Sequence, residues 1–270
     1  MRTEGSKRKE GRPNLPAEKP RTGLPAIPMD FERDAGKGFE TADKDAYAIP
    51  FLIVLQTNSP QVSEGDAAHV KGAKAGMLMN SATKELFDGK VGVLLVPAYY
   101  QHRYVEWVPR DQGGGYRGDY SPQDVDVTKL SRNQSGKFVL DNGNYLADTR
   151  YHFCIQLISD GPRTVVLSLS STQIKKSKNW MTLMQTIKLK GKTDRKYTPP
   201  TYSHAYKMTT VQESNDKGKW MGVVIEVNHL LSGKEADIYV LAKEFAKQVS
   251  TGQAKPEEPV IPGSDEDAPF

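Results

Sequence analysis

A chain of 270 residues, 37% of them hydrophobic, is long enough for one packed core, and none of its apolar runs approaches the length of a membrane span. The formal net charge of +4 hides a segregation: residues 163–207 hold ten Lys or Arg against the single acid Asp194, whereas residues 254–270 hold one Lys against five acids. A basic body with an acidic tail suits a polyanionic partner, and a lone cysteine, Cys154, without an apolar leader after Met1 points to a reducing, cytoplasmic setting.

Residues 1–44 are rich in Pro, Gly, Lys and Arg and read as a disordered basic arm. The folded domain is expected over 45–250. It opens on the apolar stretch 48–55, too short to assign to helix or strand, although Pro50 favours an extended start. Strands are predicted at 91–96, continued past Pro97 by 99–108, and then at 138–140, 151–159, 164–170, 205–213 and 219–228. Turn-rich clusters at 111–115, 141–144, 159–162 and 215–218 separate several of them. This succession makes the chain mainly β, an antiparallel sheet either closed into a barrel or packed as a sandwich.

Two helices interrupt the strands. Ser170 and Gln173 have the spacing of a capping box, opening a helix to about Lys188 with Ile174, Trp180, Met181, Met184 and Ile187 on one arc and Lys175, Lys178 and Thr182 on the other. Ser232 and Glu235 form a second such box, followed by Ile238, Leu241, Phe245 and Val249 at helical spacing. After Ser250 the composition turns to Gly, Gln, Lys, Pro and Glu, so 251–270 reads as a flexible linker and acidic tip.

Signals for catalysis are weak. The five histidines show no metal-ligand spacing, no glycine loop cradles a phosphate, and Asp124, Asp126, Asp141 and Asp148 form no fixed constellation. No catalytic residue, metal or cofactor is expected, and the chain does not read as an enzyme. Binding signals are stronger, because a single nucleic-acid strand is held by cations that follow its phosphates and by aromatic rings that stack its bases. The segment 99–110 has both ingredients. Alternation puts Tyr99, Arg103 and Trp107 on one face and Tyr100, His102, Tyr104 and Glu106 on the other, one of the two faces being core. Tyr100, Arg103, Tyr104, Trp107 and Arg110 are the candidates there. Lys175, Lys176 and Lys178 on the first helix, with Lys188, Lys190, Lys192 and Arg195 beyond it, supply the second candidate set.

The C-terminal residues Asp265, Glu266, Asp267, Ala268, Pro269 and Phe270 join clustered carboxylates to a terminal ring, a form suited to docking on a basic-rimmed pocket. This ending resembles the tip of bacterial single-stranded DNA-binding proteins. Together with residues 49–52, 55–56, 59–61, 106–110 and 171–180, it makes the chain as a whole similar to bacteriophage single-stranded DNA-binding proteins. The resemblance implies an OB-like antiparallel barrel that coats single-stranded DNA during phage replication and recombination, in the host cytoplasm. It also implies recruitment of replication or recombination proteins through Asp265, Glu266, Asp267, Pro269 and Phe270. A single-strand annealing recombination protein or mediator is the alternative. The chain is longer than the bacterial proteins and carries a helix among its strands, so their oligomer interface does not transfer.

Overall fold

The computed structural model describes residues 31–42, 47–133, 136–216 and 218–259. The tip residues Asp265, Glu266, Asp267, Pro269 and Phe270, and most of the expected basic arm, lie outside the described residues. The chain divides into two units, Met1–Ala42 and Asp43–Phe270. In the first, residues 31–42 form successive turns, with Ala35 N–H donating to Glu32 O and Lys37 N–H to Asp34 O.

The second unit is mainly β with two helices. Its strands in chain order are β1 (Leu52–Val54), β2 (Leu78–Asn80), β3 (Leu86–Phe87), β4 (Val93–Trp107), β5 (Tyr116–Tyr120), β6 (Ser131–Arg132), β7 (Phe138–Val139), β8 (Tyr145–Ile158) and β9 (Gly161–Ser170). Helix α1 (Ile174–Thr186) follows, then β10 (Leu189–Lys190), β11 (Lys196–Tyr197), β12 (His204–Asn215), β13 (Gly218–Leu230) and α2 (Ala236–Ser250). Eight strands form one antiparallel sheet in the order β13-β12-β4-β8-β7-β6, with β5 on β4 and β9 on β8. The sheet curls into a half-barrel. β1, β2 and β3 make a second, three-stranded sheet, and β10 with β11 a two-stranded hairpin of their own.

The two longest strands, β4 and β8, pair along almost their whole length. Their side chains alternate between a face covered by α2 and a face covered by α1. Tyr151, Phe153 and Ile155 on β8 pack with Ala242, Phe245 and Val249 of α2, whereas Cys154 packs with Trp180 and Met184 of α1. The apolar arcs expected of both helices are the arcs that are buried. β4 crosses Pro97 without breaking, because the register shifts between Pro97 and Tyr99 and leaves Ala98 as a bulge. That extra residue exchanges the faces. Val93 and Leu95 lie on the α1 side before it, and Tyr99, Val105 and Trp107 on the α2 side after it.

Two expectations need correction. No side-chain cap bond is made at Ser170. Gln173 instead accepts from Val223 N–H of β13 at 3.1 Å, so a tertiary bond displaces the capping box. The box at Ser232 and Glu235 is complete. Finally, 251–259 is not a free linker: Ile49 N–H donates to Lys255 O and Glu257 N–H to Ile49 O, stitching this segment to the entry of the domain.

Glu106, at 5% exposure, ties the far end of the sheet together. Its carboxylate accepts from Tyr120 Oη at 2.5 Å and from Asn142 Nδ2 at 3.1 Å, and also from Asn144 Nδ2. Burial opposes its ionisation, but these three bonds, with Arg117 nearby, outweigh burial and hold the carboxyl below its ordinary value of 4.5. A depressed carboxyl contributes stability that is complete above its unfolded value and is lost as pH falls through the folded one. Glu106→Gln is therefore expected to cost about 1–3 kcal/mol at neutral pH and to flatten the acid limb of stability below 4.5, as read by urea unfolding at stepped pH. An unchanged acid limb contradicts this role.

Candidate functional site

Beyond the bulge, β4 turns Tyr100, His102 and Tyr104 toward the α1 side of the sheet. There they meet rings from other elements. Tyr100 lies 5.2 Å from His152, which stacks on the buried Trp180 of α1 at 4.6 Å. His102 lies 4.9 Å from Tyr104, and Tyr104 meets Phe138 of β7 edge-on at 6.0 Å. The Arg132 guanidinium of β6 covers Phe138 at 3.9 Å from the ring centre, a cation–π contact. Rings from β4, β7 and β8 thus form a row across the sheet, with Tyr100, His102 and Phe138 each partly exposed.

Charge is arranged around this row. Asp148 of β8 takes Arg150 Nη2 at 3.1 Å and Nη1 at 2.9 Å, and His102 Nε2 lies 2.8 Å from the same carboxylate. Burial, then the Arg150 charge, lower the His102 pKa against the pull of Asp148, with Lys178 adding to the depression. His102 therefore takes up a proton less readily than an ordinary imidazole. His152 is buried, paired with Ser177 Oγ at 2.7 Å and pushed down to about 3 by desolvation, then Arg150. With Asp148 matched to Arg150, Lys178 and Arg132 leave the surface cationic.

The structure brings Tyr100, Tyr104 and Lys178 of the predicted set into this one place, with Tyr104 buried at 9% exposure beneath the partly exposed Tyr100, His102 and Phe138. The rest are distributed elsewhere. Trp107, at 7% exposure, sits in the core under α2, edge-on to Tyr116 at 6.0 Å, so its ring is a packing element. Arg103 shares that face, 3.6 Å from Asp119. The Arg110 side chain lies outside what is described. Lys176 pairs with Glu213 at 2.5 Å, while Lys175 is exposed. Lys188, Lys190, Lys192 and Arg195 are on or beside the β10–β11 hairpin, past the other end of α1. Sequence reasoning missed Arg132, Phe138, Asp148 and Arg150 as site residues. Continuing the period of Tyr151, Phe153 and Ile155 backward through Thr149, Ala147 and Tyr145 extends β8 over the Asp148–Arg150 pair.

A groove of about 800 Å³ opens beside the row. Among the described residues β8 has no strand neighbour at one place on this edge: β9 ends at the Thr149–Ser170 pair and β7 begins at the Leu146–Phe138 pair, with Ala147 and Asp148 between them. Tyr104, Phe138 and Leu169 line the groove from one face of the sheet, and Trp107, Tyr145 and Tyr151 from the other. The first residues of the α1 region, Ser170, Ser171, Thr172 and Gln173, line it too, and no side-chain cap occupies this helix start. Uncapped N–H groups and the positive end of the helix dipole suit an anion. Lys137 Nζ stands 4.3 Å over the Tyr145 ring at the groove wall.

Fold and site together define a curled antiparallel β protein, helix-covered on both faces, with an aromatic and cationic surface beside an open sheet edge. Among the described residues no group of His, Cys, Asp or Glu could hold a metal ion, and no helix is long and apolar enough to cross a membrane. Residues 19–255 match the family described as Pam3 phage gp34-like protein, and the chain belongs to that family of phage proteins. No curated protein and no solved structure matches it.

Proposed function

We propose that this protein binds and coats single-stranded DNA during phage replication and recombination, on an OB-like half-barrel and without catalysing a reaction. The observation that carries the reading is the partly exposed row of Tyr100, His102 and Phe138, backed by the buried Tyr104 and flanked by Arg132 and Lys178. Ring faces accept any base, and each stacked base contributes about 1–3 kcal/mol, while the cations meet phosphates without reading sequence. The open groove gives the strand a path past the sheet edge. Membership in a phage family supports the phage setting. The acidic tip carrying Asp265, Glu266, Asp267, Pro269 and Phe270 recruits replication or recombination proteins in the host cytoplasm, its carboxylates steering and its ring anchoring.

Titration of labelled oligo-dT, its duplex and the RNA equivalent at two salt concentrations tests the first part. Salt-sensitive preference for the single strand is expected. Phe138→Ala should cost about 1–3 kcal/mol of that affinity with the fold intact, and Lys178→Ala should lower the log–log salt slope by about 0.7. Equal affinity for duplex and single strand, or a Phe138→Ala protein that binds like the parent, contradicts the reading. For the tip, pull-downs from host lysate should lose replication proteins with Phe270→Ala while oligo-dT affinity stays unchanged; identical partner sets from both proteins reduce the tip to a solvated tail.

A further inference from the structure

The groove and the basic hairpin stand at opposite ends of α1. Ser170 to Ile174 line the groove, and the 13 residues of α1 then run for about 20 Å to the hairpin. Along the way the helix carries no acid, Lys176 is engaged by Glu213, and Lys175 and Lys178 are exposed with no carboxylate partner among the described residues. At the far end Lys188, Lys190, Lys192, Arg195 and Lys196 crowd into nine residues with Asp194 as their sole acid.

The hairpin places these charges unfavourably for its own stability. Lys190 lies directly opposite Lys196 across the two strands, and like charges at facing positions repel. Asp194 approaches Lys190 to 3.7 Å, but the two side chains are 71% and 90% exposed, so the pair offsets little. The hairpin belongs to neither larger sheet, and the Tyr197 ring beside Lys196 is 47% exposed. A polyanion laid across it would relieve the repulsion.

We propose that the hairpin is a second anchor for the phosphates of the bound strand, reached from the groove along Lys175 and Lys178. The proposal rests on the single-strand reading above and adds a geometry to it: a site with two ends about 20 Å apart. A stacked strand advances about 3.4 Å per nucleotide, so about six nucleotides span the helix, fewer if extended. Shorter oligonucleotides occupy the aromatic end alone.

The test compares oligo-dT of about four and about fifteen nucleotides, lengths that bracket the span. Both are titrated at several salt concentrations against the full-length parent and a Lys190→Ala, Lys192→Ala, Arg195→Ala, Lys196→Ala variant. For the long oligonucleotide the variant should lose roughly tenfold or more in affinity, and its salt slope should fall by about 0.7 per contact removed. For the short one, parent and variant should coincide. Thermal melting monitors the fold; if the fourfold variant melts early, the turn pair Lys192→Ala, Arg195→Ala gives the same comparison. A folded variant that binds the long oligonucleotide with the parent's affinity and slope overturns the second anchor and leaves the single-strand reading standing. Equal losses for both lengths overturn the two-ended geometry. A parent that binds neither length overturns the single-strand reading, and the anchor with it.

Discussion

One inserted residue in β4 decides what the sheet shows to solvent. Side chains on a strand alternate with a period of two, so any shift of one residue sends every later side chain to the other face. The bulge at Ala98 is such a shift. Without it the even-numbered side chains beyond it would face α2, placing Tyr100 and Tyr104 on the α2 side, while Trp107 would leave it. With it, Val105 and Trp107 join Tyr151 and Phe153 in the α2-side core, and Tyr100, His102 and Tyr104 are delivered to the α1 side. Pro97 favours the irregularity at this point, because it brings no N–H to the ladder with β8, where it stands opposite Cys154. Packing on one face and the candidate site on the other therefore depend on the same local event.

A second constraint follows from chain length along β8. β9 and β7 share one edge of this strand but do not meet, and among the described residues no strand pairs with the two residues between them on that side. An exposed pair of backbone groups in an otherwise complete sheet is a weak point for edge-to-edge association. Here the opening is flanked by the Arg150–Asp148 pair, by Lys137 over Tyr145 and by the start of α1. The charges discourage pairing with another strand and leave a polar mouth on an aromatic groove. The edge of β13 is treated similarly: Gln56 bonds both Met221 N–H and Met221 O, and Gln173 takes Val223 N–H.

Much of this was legible in the sequence. The β-branched and apolar runs identify the long strands, and the spacing of Ile238, Leu241, Phe245 and Val249 identifies α2 and its buried side. The pairing of Ser232 with Glu235 is purely local, so a local signature suffices for it. What escaped depends on distant partners. Nothing near Gln173 shows that β13 will claim its amide, and nothing near Pro97 shows whether the strand will break or bulge. β8 was cut short at Tyr151 because Asp148 and Arg150 interrupt the apolar run, yet these two neutralise each other across the strand surface. Two-residue strands such as β6 and β7 carry too little pattern to be read, which is why Arg132 and Phe138 went unnoticed as site residues. Tyr100 and Tyr104 were found as candidates, but only the register of the folded sheet separates them from Trp107.

The account stands on the claim that the α1-side row is where a single strand lies. Ultraviolet cross-linking of oligo-dT to the full-length protein, with adducts mapped by mass spectrometry, addresses that claim directly, since only rings in contact with bases couple efficiently. Adducts on Tyr100 or Phe138 are the predicted result. Adducts confined to the α2 side of the sheet, or to the exposed Phe31 and Phe39 of the first unit, would contradict it.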